Sequence, residues 1–142
     1  MEKIAQTEWM EKMAFEADVN GHKFAIDAGE KVGGEDRGPR PKPLMMVALA
    51  GCTAMDVISI LKKMRVKPAY FNVEAFVNPT DEHPKHYDAV HLKYTFKGND
   101  LPEDKINKAV KLSQDRYCGV SHMLKKAAKF THEIVIEESD TK

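Results

Sequence analysis

The first third of the chain reads as strands, a long and nearly unbroken apolar stretch follows, and apolar and polar residues alternate beyond it. Residues 13–19 and 22–27 read as strands on either side of Asn20-Gly21, a pair suited to a type I′ hairpin because both turn positions need φ > 0. Residues 29–43, GEKVGGEDRGPRPKP, concentrate glycine, proline and charge and predict a flexible loop. Pro41 or Pro43 suits the first turn of a helix, where a missing N–H costs nothing. From 41 to 65 apolar residues cover most of a helical circumference, including Leu44, Val47, Leu49, Cys52, Met55, Val57, Ile58 and Leu61. A helix apolar all round is predicted to be buried, and Lys62, Lys63 and Arg65 suit the negative end of its dipole.

Beyond Pro68, Phe71, Val73, Ala75 and Val77 share one strand face, and Val90, Leu92, Tyr94 and Phe96 share another, with NPTDEHPKHYD as the loop between them. Leu101-Pro102-Glu103-Asp104 opens a helix with Ile106, Ala109, Val110 and Ser113 at helical spacing. Residues 117–128 predict a further short helix and 131–138 a closing strand. Strands, a long helix, a hairpin, helices and a strand make an α+β order rather than an alternating βαβ one. One small sheet covers one side of an all-apolar helix, so a second copy of the chain is expected to cover the other, giving a homodimer.

The 142 residues suit one domain, expected over 1–142, and a chain of that length buries roughly 68–70% of its unfolded surface, enough for a core without disulfides. Lys plus Arg and Asp plus Glu both number 22. That balance argues against nucleic acid, whose binding leans on a cationic face. The N-terminus lacks the basic and apolar regions of a signal peptide. The longest apolar run, residues 44–52, is short of the roughly 18 a membrane span needs. A cytoplasmic protein without membrane association is expected, and there thiols stay reduced.

Candidate chemistry therefore falls on the two cysteines. Cys52 lies in ALAGCTAMD, among small residues that admit close approach; Cys118 lies in DRYCGVSHML near a helix start, two residues from Arg116. Partial positive charge at a helix start favours a thiolate. From spacing alone each cysteine reads equally as a buried filler, since free Cys is among the most buried residue types, or as a reactive thiol. A sulfenic acid formed on one condenses with the other if the fold brings them together.

The segment GPRPKPLMMVALAGCTAMDVISIL resembles the first-cysteine helix of the OsmC/Ohr family (osmotically inducible protein C and organic hydroperoxide resistance proteins), with Gly38, Pro41, Leu44, Ala48 and Cys52 in matching places. AVKLSQDRYCGVSHMLKKAAKFTHEI resembles the second-cysteine region through Cys118, Val120, Ser121 and Leu124, and Trp9 also fits. Asp56-Val57 and Tyr117-Cys118 are most similar to the YhfA-like branch. The resemblance implies an intertwined α+β homodimer with the long helix packed against antiparallel sheets. It implies thiol-dependent reduction of organic hydroperoxides and hydrogen peroxide in oxidative or osmotic stress, without a cofactor or metal. Cys52 would be peroxidatic and Cys118 resolving, with a dithiol as reductant. The family pairs a Glu ten residues before the first cysteine with a catalytic Arg. Here Lys42 holds that position, and Arg37 and Arg40, the only arginines before Cys52, are the candidates for the Arg.

The departure at Lys42 favours an alternative on the same fold, a non-enzymatic protein that binds a small hydrophobic ligand or senses redox state. His122, four residues after Cys118, and the loop histidines His83, His86 and His91 read as packing or surface residues rather than metal ligands. Asp56, four residues after Cys52, would raise the thiol pKa if ionised and close.

Overall fold

The computed structural model describes residues 1–139; residues 140–142 of the expected domain lie outside them. The chain forms two compact units, Met1–Met45 and Met46–Lys142, and each is described by itself.

The first unit is a three-stranded antiparallel sheet of β1 (Ala5–Glu11), β2 (Ala14–Val19) and β3 (His22–Ile26), in that order. Asn20 and Gly21 both take positive φ, 54° and 78°, as the primed turn requires. The sequence pattern does not single out β1, whose residues are exposed along its whole length and carry no buried face to read. The glycine-rich loop, expected to be flexible, is ordered by a carboxylate instead. Asp27, almost fully buried, accepts N–H bonds from Ala28 at 2.7 Å, Glu35 at 3.0 Å and Arg37 at 3.2 Å, and a single 3₁₀ turn spans Glu30–Val32. Gly34 and Gly38 allow the close approach this folding-back needs, since a Cβ on either would sit 2.0 Å from a backbone carbonyl oxygen.

The second unit holds most of α1 (Pro41–Lys63), then β4 (Tyr70–Pro79), β5 (Tyr87–Lys97), α2 (Glu103–Leu112), α3 (Gly119–Leu124) and β6 (Lys129–Glu137). β4 pairs antiparallel with β5, and β6 pairs parallel with β5, so α2 and α3 form a crossover that the strand count alone did not reveal. The predicted strand faces meet across the sheet: Phe71 opposite Phe96, Val73 opposite Tyr94, Ala75 opposite Leu92 and Val77 opposite Val90. Phe71 and Phe96 stack with ring centroids 4.4 Å apart. The four β5 residues are fully or almost fully buried and pack with Leu49, Val57 and Leu61 of α1 and Ile106, Ala109 and Val110 of α2.

Two helices differ from their predicted form. In the single chain α1 buries one stripe, Leu49, Thr53, Val57 and Leu61, while Val47 and Met55 stay 66% and 77% exposed. One sheet has one face to offer, so it covers one side of the helix. By length and composition alone α1 is apolar enough to cross a membrane, with a mean hydropathy of 2.1 over 18 residues. The nine-residue run understates this, because Thr53, Asp56 and Ser59 interrupt the run without lowering the average much. The stripe packed on β5 is that of a core helix. The predicted helix over 117–128 shortens to α3: residues 113–117 wind as a π turn before it, and after Leu124 the backbone closes into turns through Lys126 N–H to Met123 O and Ala127 N–H to Leu124 O.

Burial pushes the Asp27 carboxyl up, but the N–H donors of Glu35, Arg37 and Ala28 outweigh it and hold its pKa below the ordinary value. Ionised Asp27 thus adds stability above the unfolded carboxylate range near ~4, and that contribution disappears as pH falls through the lower native value. Asp27→Ala should speed hydrogen exchange of the Glu35 and Arg37 amides severalfold at pH 7; unchanged protection of those amides would refute this role for the carboxylate.

Candidate active site

The candidate site lies in the second unit, where α1 meets the turn between α2 and α3. Cys52 and Asp56 are one helical turn apart on α1 and share a face; Thr53 between them turns into the core. On the other side, the π turn Ser113–Tyr117 inserts an extra residue into the end of α2. That shift turns both Ser113 and Gln114 inward and delivers Cys118 to the first position before α3, its N–H donating to the Ser113 carbonyl at 2.8 Å.

The two sulfurs and an Asp56 carboxylate oxygen all lie within 4.8 Å of one another. Both thiols are free, and both face backbone N–H groups at the start of α3. Cys118 Sγ accepts from Ser121 N–H at 3.4 Å, and the Val120 N–H favours the Cys52 thiolate. The Cys52 thiol is nonetheless pushed up. Burial is the main cause, and the Cys118 side chain and the Asp56 charge add to it against the opposing Val120 N–H.

Beneath the thiols runs a buried polar chain whose direction the donors dictate. Ser113 Oγ donates to Asp56 Oδ2 at 3.0 Å, which uses its one proton. Thr53 Oγ1, 2.7 Å from Ser113 Oγ, must therefore donate to it. Thr53 in turn accepts from the Tyr94 hydroxyl at 2.8 Å, and Tyr94 accepts from Gln114 Nε2. Tyr94 is held in its protonated, donating form chiefly by burial, which raises its pKa. Lys125 Nζ donates to the Gln114 carbonyl at 2.8 Å and so ties α3's far end to the same turn. The sequence reading found Cys52, Cys118 and Asp56 but not Thr53, Ser113 and Gln114. The available signal was two polar residues, Thr53 and Asp56, three apart in a mostly apolar helix; for Tyr94 there was none, since a strand-core tyrosine looks like any other aromatic.

Two hollows flank the site. One of about 710 Å³ is lined by Cys118, Arg116, Tyr117, His122, Lys125 and Lys126 among others, so exposed His122 faces the same space as the resolving-thiol candidate. The other, about 220 Å³, is lined by Asp56, Ser59, Ile60, Lys63 and Tyr117. Arg37 and Arg40 belong to the first unit. There Arg37 pairs with Glu11 and Glu35, and Arg40 pairs with Asp36 at 2.6 Å. His86, in the loop, places Nδ1 2.7 Å from the Pro84 carbonyl, whereas His91 lies in β5 and not in the loop, its Nδ1 2.8 Å from Thr131 Oγ1 on the neighbouring β6.

Comparison with known proteins places this geometry in context. Residues 33–133 match the family model described as OsmC-like protein. The chain is similar to protein YhfA of Escherichia coli K12, with 32% identity over 129 residues, covering 90% of this chain and 93% of that one. It is similar in structure to a hypothetical protein from Aquifex aeolicus VF5, with a TM-score of 0.85 and 26% identity, covering 99% of this chain and 100% of that one. The fold is also shared with an organic hydroperoxide resistance protein OsmC from Legionella pneumophila, with a TM-score of 0.64 and 14% identity, covering 96% and 95%.

The negative charge of Asp56 disfavours a Cys52 thiolate, so Asp56→Asn should accelerate iodoacetamide alkylation of Cys52 at pH 7, by up to about tenfold for each pKa unit recovered. A rate unchanged or slowed, followed by mass spectrometry of the Cys52 peptide, would show that the carboxylate does not act on this thiol.

Proposed function

The chain belongs to the OsmC-like protein family, and from that premise we propose that it is a two-cysteine, thiol-dependent hydroperoxide reductase. The observation that carries the reading is the meeting of the Cys52 and Cys118 sulfurs within 4.8 Å from positions 66 residues apart in sequence. Cys52, the more exposed of the two, is the attacking thiol. As thiolate it displaces alkoxide from the O–O bond of a hydroperoxide, becoming a sulfenic acid while the alkoxide takes a proton to leave as alcohol. The Cys118 thiol then attacks the sulfenic sulfur, expelling water and closing a disulfide, and an external dithiol restores both thiols by exchange. N–H groups of Val120 and Ser121 supply partial positive charge along this path. Arg37 or Arg40 is proposed as the fuller cation, in the role for which the family uses its Arg, with Lys42 as a further candidate.

The reading takes residues 1–142 as one OsmC-like domain, since the family match runs across the boundary between the two units. It also takes the protein as a cytoplasmic homodimer, in which a second copy covers the Val47, Met55 and Ile58 side of α1. Sedimentation velocity at micromolar concentration should give the mass of two chains, and Met55→Lys should shift it toward one; a monomer before substitution would remove this part of the proposal.

One observation favours the alternative of a ligand-binding or redox-sensing protein: the surroundings of Cys52 raise its pKa rather than lower it. Turnover separates the two. With dithiothreitol as reductant, the protein should consume cumene or tert-butyl hydroperoxide, Cys52→Ser should reduce the rate at least about 100-fold, and Lys31→Ala should leave it unchanged. Equal rates in Cys52→Ser and the unsubstituted protein would sink the reductase. A small apolar ligand that raises the melting temperature while peroxide persists would establish the alternative.

A further inference from the structure

Cys52 Sγ, Cys118 Sγ and an Asp56 oxygen form, among the described residues, the one cluster of three or more Cys, His, Asp and Glu side chains placed closely enough to share an ion. We propose that, with both thiols reduced, the chain binds one thiophilic divalent cation such as Zn²⁺ through Cys52, Cys118 and Asp56, with a fourth position open to solvent or a small ligand. This departs from the metal-free site that the family resemblance implies, and it stands independently of peroxide turnover.

The donor set is that of a zinc site, two thiolates and a carboxylate, and three protein ligands with an open fourth position is the pattern of zinc sites that admit a further ligand. Zn–S bonds of about 2.3 Å and Zn–O bonds of about 2.0–2.2 Å place tetrahedral donors roughly 3.5 Å apart. From separations within 4.8 Å, side-chain adjustments of about an ångström close the shell. The groups that would hold the donors are already in place. Ser121 N–H reaches Cys118 at 3.4 Å, and Ser113 Oγ–H holds one Asp56 oxygen at 3.0 Å. Ser113 is fixed in turn by Thr53. Such outer hydrogen bonds orient ligands and tune affinity.

Charge fits the same geometry. Two thiolates and a carboxylate meeting within 4.8 Å gather negative charge that a divalent cation between them would neutralise. Cys52 and Asp56 are only half buried, and the 220 Å³ hollow beside Asp56 offers a way in. On binding, the two thiols release their protons to solvent and no electrons move. Oxidation by a hydroperoxide removes two electrons from the sulfurs, joins them, and takes both thiolates away from the ion. The bound ion and the disulfide therefore exclude one another, and the protein would release its metal on oxidation.

Cobalt titration of the reduced, metal-free full chain tests this. One Co²⁺ per chain should bind with near-ultraviolet thiolate-to-cobalt charge transfer and the intense visible bands of tetrahedral coordination, and Zn²⁺ should displace it. Protein oxidised with diamide should show neither band. Cys52→Ser and Cys118→Ser should each abolish the two-thiolate spectrum. In chelator competition Asp56→Asn should weaken Zn²⁺ at least about tenfold, and Ser113→Ala about 10–100-fold, while a His83→Ala, His86→Ala double variant should bind as the unsubstituted protein does. Circular dichroism checks each variant's fold, and the spectrum of the unsubstituted protein tests the site without any variant. The proposal is overturned by reduced protein that shows no charge-transfer band, by cysteine variants that bind as well as the parent, or by Asp56→Asn at full affinity. Peroxide turnover, measured on the same preparation, bears on the reductase reading alone.

Discussion

Thr53 Oγ1 is the hub on which the second unit's chemistry depends. It is fully buried and lies 2.8 Å from the Tyr94 hydroxyl and 2.7 Å from Ser113 Oγ, so three elements that share no stretch of chain meet at one oxygen. Buried hydroxyls without partners are costly, roughly 1–3 kcal/mol each, and a fully satisfied network specifies a single arrangement. Here that arrangement ties α1, β5 and the π turn to one another. Cys52 precedes Thr53, and Cys118 follows the turn that holds Ser113 and Gln114. Fixing the hub therefore fixes both sulfurs, and they meet because the hydroxyls beneath them do.

The apolar framework was legible because it repeats. Period two along β4 and β5 named the residues that face each other across the sheet, and Asn20-Gly21 named the hairpin. The burial of α1 was legible only in part: composition reports how apolar a helix is, while the number of covered faces depends on what else the chain has to pack there. The ordering of the 29–43 loop was hidden for a different reason. One carboxylate, Asp27, collects N–H groups from residues one, eight and ten positions ahead, and no local pattern announces that an aspartate has been withdrawn from solvent.

The site shows the same division. The cysteines could be picked out by type and by their surrounding motifs, but their proximity could not, because it rests on a π turn. Residues 103–113 keep helical spacing, and nothing in SQDRY signals that the next turn widens. The wider turn carries Ser113 and Gln114, both buried, past the end of α2 and brings the chain to Cys118.

The electrostatics of the pair then decide among its chemistries. A half-buried thiol beside a second thiol and a carboxylate is stable as the neutral group, and partial charges from two backbone N–H groups do not reverse that preference at Cys52. Such a site gains reactivity only by acquiring positive charge. A guanidinium supplies it while leaving the sulfur lone pairs exposed to an oxidant, whereas a metal ion supplies more and occupies those lone pairs. The proposed hydroperoxide reduction and the proposed metal binding thus answer the same deficit. With Lys42 standing where the family has its Glu, the carboxylate nearest the sulfurs is Asp56, held on the same helix face by Ser113. Its charge counts against a thiolate at Cys52, and the same charge is what the proposed metal site would use.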